Sequence, residues 1–118
     1  MDQLPERYLP DRIEQLRRAI EKAEQSLERL DEIKSTLIRL LSECEQNLED
    51  ILRMGGSPEV ADLAQRSLDK LKEIKVLLGK VTKEKAEMQD VRRQMKAAKA
   101  IFEIEHSEQI TSRLEEIE

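Results

Sequence analysis

Apolar residues in this chain recur in steps of three and four, and that spacing limits the fold more than any other feature. One column runs Ile13, Ile20, Leu27, Leu41 and Leu48, with Lys34 interrupting it. A second runs Leu16, Ala23, Leu30, Leu37, Cys44 and Ile51. A repeat of seven kept over about five heptads is the signature of a coiled-coil helix. After residue 11 only one strong break follows, Gly55-Gly56-Ser57-Pro58. Paired glycines can end a helix because they reach positive φ without steric cost. Ser57 then offers a hydroxyl cap, and Pro58 suits a first helical turn, where no amide donor is needed. The chain therefore reads as all-α, a long antiparallel helical hairpin with helix 1 over about 11–54, a turn at 55–57 and helix 2 from 58 to about 102 or beyond.

Helix 2 carries one unbroken column: Val60, Ser67, Ile74, Val81, Met88, Met95 and Phe102. Its companion column is apolar at Ala64, Leu71 and Leu78, then basic at Lys85, Arg92 and Lys99. Val91 and Ala98 lie on the other flank, which predicts a seam that rotates around the helix in its second half. Gly79, just before that change, is a candidate kink. Residues 1–10 contain Pro5 and Pro10 and read as an extended lead-in. Helix 1 is expected to open with an acidic capping box, Asp11 with Glu14. The acidic segment 103–118 keeps helical spacing at Ile110, Leu114 and Ile117, and Ser107 could cap a short third helix folding back on the hairpin. Folding the legs at the turn brings Tyr8 and Phe102, the only aromatics, together at the open end.

Composition narrows the class. Charged residues make up 40% of the 118 and aromatics 2%, a balance that suits long amphipathic helices in one domain over 11–118. No apolar run approaches the ~20 residues of a membrane span. A net charge of −5 disfavours general binding to nucleic acid or anionic membrane. The single cysteine excludes an internal disulfide and fits a reducing, cytoplasmic setting, and no secretory signal is evident at the N-terminus.

Little here suits catalysis, and no cofactor or metal site is expected. His106 is the only histidine. It shares a helix face with Glu103, a two-ligand arrangement at best, and reads more simply as a solvated histidine in an acidic tail. Cys44 falls on a core column, where a thiol is inert. The Gly55-Gly56 pair has no lysine at the spacing of a phosphate loop.

Charge is segregated along the chain. Residues 66–99 hold eleven basic and five acidic groups, whereas residues 40–51 hold four acids and no base. Lys85, Arg92, Lys96 and Lys99 share one face that would suit an acidic ligand. With no aromatic among them for base stacking, the simpler reading is that they complement acidic helix faces.

Two apolar surpluses remain. Ile33, Ile38 and Leu40 flank the main columns of helix 1, and Leu77 flanks that of helix 2, with Val76 nearly opposite the seam. Together they predict a wide apolar waist over residues 33–41 and 71–81. The expected function is non-enzymatic helix–helix association, as a scaffold, adaptor or oligomerisation element in a homodimeric four-helix bundle or hetero-complex. Ile33, Leu37, Ile38, Leu40, Leu77 and Val81 are the expected interface, followed by Met88, Met95 and Phe102. The alternatives are a monomeric three-helix-bundle binding domain, an engineered helical scaffold, and a polyanion binder using the basic half of helix 2.

Overall fold

The computed structural model describes residues 8–117. Two helices account for almost all of them: α1, Tyr8–Arg53, and α2, Pro58–Ile117. The fold is an all-α antiparallel helical hairpin. Contacts divide it into two compact units. One combines residues 8–27 of α1 with 87–117 of α2; the other is residues 28–86, which includes the turn.

The turn forms as its residues dictate. Gly55 takes φ +104°, a conformation that L side chains rarely adopt. The Met54 amide donates to the Ile51 carbonyl at 3.0 Å, closing the last turn of α1. The Ser57 hydroxyl accepts the Val60 amide at 3.2 Å and caps α2, with Pro58 as its first residue. A further bond, from the Ala61 amide to the Ser57 carbonyl at 3.0 Å, starts the helical ladder.

The start of α1 differs from the sequence expectation. Helix begins at Tyr8, so Pro10 is its third residue and Asp11 its fourth. Proline is tolerated there because first-turn amides have no acceptor within their own helix. The rest of the expected lead-in, residues 1–7, lies outside the described residues. Asp11 and Glu14 consequently form no capping box. The Glu14 carboxylate instead takes Arg17 at 2.6 and 2.9 Å and Arg18 at 3.1 Å.

Nor does the chain fold back after residue 103. α2 continues to Ile117, and the Ser107 carbonyl accepts the Thr111 hydroxyl at 3.0 Å as an ordinary mid-helix residue. No glycine or proline lies between Gly79 and residue 118 to end the helix.

In the unit formed by 8–27 and 87–117, the core consists of Leu9, Ile20, Ala23 and Leu27 on α1. Leu9, at 1% exposure, is the most enclosed side chain. Met88, Arg92, Met95, Lys99, Phe102 and His106 of α2 are half-buried in steps of three and four. In the unit 28–86, Leu37 and Leu71 are buried. Leu30, Lys34, Leu41, Cys44 and Leu48 on α1, with Ile74, Leu78, Val81 and Lys85 on α2, are half-buried around them. Burying such a side chain is worth about 1.5–3 kcal/mol, enough to hold the helices together along these columns.

The predicted rotation of the α2 seam does not occur. Of the two residues on the expected new flank, Ala98 is half-buried but Val91 is 45% exposed, while Lys85, Arg92 and Lys99 keep the inward column. Long basic side chains can lay their methylene stems along apolar surface and carry the charge out to water, so three cations can occupy core positions without displacing the seam.

Candidate interaction surface

Of the basic residues on the α2 face considered for an acidic ligand, three meet carboxylates of the same chain. In the unit 28–86, Lys85 forms an ion pair with Asp31 of α1. In the other unit, Lys96 Nζ lies 3.5 Å from Glu24 of α1, and Lys99 Nζ lies 2.8 Å from Glu103 one turn along α2. Arg92 is half-buried in the same inward column. The face considered for an acidic ligand is thus occupied at three of its four positions by intrachain acids.

These pairs also fix the helix register. Folding the legs symmetrically at the turn would set Val81 opposite Asp31 and Met88 opposite Glu24. In the unit 28–86 the observed partner, Lys85, lies four residues farther along α2, a distance its long stem spans, so the register there stays near the symmetric one; in the other unit Lys96 lies eight residues farther along. The first residues of α1 therefore lie beside α2 beyond Phe102. Tyr8 is exposed and Phe102 half-buried, and they are not the matched pair that equal legs implied.

The expected interface residues separate into two sets. Leu37 is core, and Val81, Met88, Met95 and Phe102 are half-buried on the inward column of α2, so these five serve the hairpin itself. Leu40 is half-buried beside the seam. Ile33, Ile38 and Leu77 are exposed at 42%, 50% and 48%, and Val76 is exposed too. All four belong to the unit 28–86.

Chemistry-bearing groups do not converge. Cys44 is a free, half-buried thiol. Among the described residues, no group of three or more His, Cys, Asp or Glu side chains could hold a metal ion. His106 departs from the solvated histidine the sequence suggested: it is half-buried, with Nδ1 enclosed and without a hydrogen-bond partner among the described residues. Its position one heptad beyond Lys99 was the available signal, since the inward column simply continues to it.

The strongest electrostatic perturbation is on the surface of α1. Hydrogen bonding to Arg17, reinforced by Arg18, holds the Glu14 carboxyl down at about 2. Arg17, bonded to Glu14 and also to Glu21 at 2.9 Å, is pushed further above its already high value. This is an exposed helix-surface cluster. Among the described residues, no helix is long and apolar enough to cross a membrane. Compared with protein-family models, curated proteins and solved structures, the chain matches none.

Proposed function

We propose that this chain is a helix-mediated association element, a scaffold or oligomerisation module rather than an enzyme. The observation that supports the reading is the apolar surface left outside the hairpin seam in the unit 28–86: Ile33 and Leu77 face water on one flank, beside half-buried Leu40, while Ile38 and Val76 are exposed on other faces. Contiguous exposed apolar surface marks interaction sites in otherwise polar proteins. Each such side chain represents about 2 kcal/mol of free energy available on burial. The polyanion alternative has less support, because Lys85, Lys96 and Lys99 already have carboxylate partners.

Light scattering behind size exclusion tests the reading directly. The expected mass exceeds the 13.8 kDa of a single chain and falls on dilution, with a melting temperature that falls in parallel. A single-chain mass at every concentration, together with melting indifferent to dilution, overturns it.

A further inference from the structure

The two sides of the hairpin seam differ in chemistry within the unit 28–86. On one side Asp31, which directly follows core Leu30, meets Lys85. Ile33 projects about 200° around α1 from Asp31, so it lies on the opposite side. Leu40, one heptad later, follows Ile33. In an antiparallel pair, residues directly preceding the columns Lys34–Leu41 and Leu71–Leu78 share a flank. The α2 residues there are Lys70, Leu77 and Glu84. This flank is thus apolar at its centre, through Ile33, Leu40 and Leu77.

Its rim is charged in a self-complementary way. Arg29 and Glu43 lie seven residues either side of Thr36, with Ile33 and Leu40 between them. Lys70 and Glu84 lie seven residues either side of Leu77. Glu73 and Lys80 bracket Leu77 at four and three residues. Every one of these pairs is opposite in sign. Among the described residues, none of the six makes an ion pair within the chain, whereas Asp31 and Lys85 on the other side do.

We infer that this flank receives a second copy of the same chain, related by a two-fold axis near Thr36 and Leu77, with α1 against α1 and α2 against α2, each antiparallel. A two-fold interface is isologous, so each residue on one side of the axis meets its mirror in sequence. Arg29 then faces the partner copy's equivalent of Glu43 and Lys70 that of Glu84, and Glu73 lies within one residue of that of Lys80. Leu77 meets its own equivalent. The opposite flank, centred on Ile38, lacks this property: Asp31 and Glu45 lie seven residues either side of Ile38 and would bring like charges together. Charge complementarity therefore selects both the flank and the occupant.

The inference rests on the association reading but fails separately from it. Full-length Glu43→Arg is expected to weaken the dimer roughly tenfold, since two symmetric ion pairs become repulsive. Adding Arg29→Glu to the same chain restores affinity, because the reversed pair is again complementary. In a Cys44→Ser background, Leu77→Cys should form a disulfide-linked dimer with oxidised glutathione, while Ile38→Cys stays largely unlinked. Circular dichroism of each variant confirms that helicity is kept. A dimer indifferent to Glu43→Arg, or one linked through position 38 rather than 77, overturns the inference and leaves association itself standing. A chain that is monomeric throughout, or that binds only a foreign helix on this flank, overturns it as well.

Discussion

Lys85 of α2 forms an ion pair with Asp31 of α1, although its stem lies in a column that Leu71 and Leu78 fill with hydrocarbon. The lysine thus does two things: its methylenes cover the seam and its ammonium meets an acid at the edge. Asp31 is mostly exposed, and such pairs contribute about 0–1 kcal/mol. Asp31→Ala is expected to lower stability by less than about 1 kcal/mol, whereas Lys85→Leu should be neutral or stabilising. Urea denaturation of both variants checks this; a Lys85→Leu protein weakened by more than about 2 kcal/mol would show the charge itself to be required.

Leu9 is the most enclosed side chain, although it lies only one residue inside α1. Leu9→Ala is expected to cost about 2–5 kcal/mol, the range for a leucine removed from a packed site. A loss below about 1 kcal/mol in chemical denaturation would mean that this end of the helix frays in solution.

Two glycines should respond in opposite directions. An added Cβ at Gly79 meets nothing within 4 Å, and the residue lies inside α2, so Gly79→Ala should raise stability by about 1 kcal/mol. Gly55 also has open space around it, but its φ of +104° strains any L side chain. Gly55→Ala should cost about 1 kcal/mol or more. Thermal melts of the two variants that move the same way would contradict this account.

Glu14 titrates at about 2 in the folded chain, below its ordinary 4.5, with its hydrogen bond to Arg17 as the leading cause. Folding therefore favours its ionised form. The contribution is complete above about 4.5 and disappears as pH falls towards 2. Arg17→Gln should return the Glu14 carboxyl towards 4.5 in an NMR titration. A carboxyl still near 2 in that variant would assign the shift to Arg18 instead.

Local patterns carry a good part of the architecture. The seven-residue columns predict two amphipathic helices and most of their inward faces, because burial follows helical geometry. The Gly-Gly-Ser-Pro break predicts the turn, because positive φ, a hydroxyl cap and a first-turn proline are each properties of single residues. The exposed Ile33, Ile38 and Leu77 are also legible, since they lie outside both columns. Less legible was the fate of Lys85, Arg92 and Lys99. Their charge argues for the surface, and room for their stems, with Asp31 beside Lys85 and Glu103 beside Lys99, keeps the seam on them.

By itself the sequence determined that this chain is a helical hairpin, where it turns, and that Ile33, Ile38 and Leu77 fall outside the seam. Tertiary structure alone decided the register, the inward place of Lys85, Arg92 and Lys99, and the meeting of Asp31 with Lys85 on one flank. The reason is physical. Helix periodicity and capping depend on neighbours a few residues away, whereas register and flank depend on how long side chains from two distant segments share one seam.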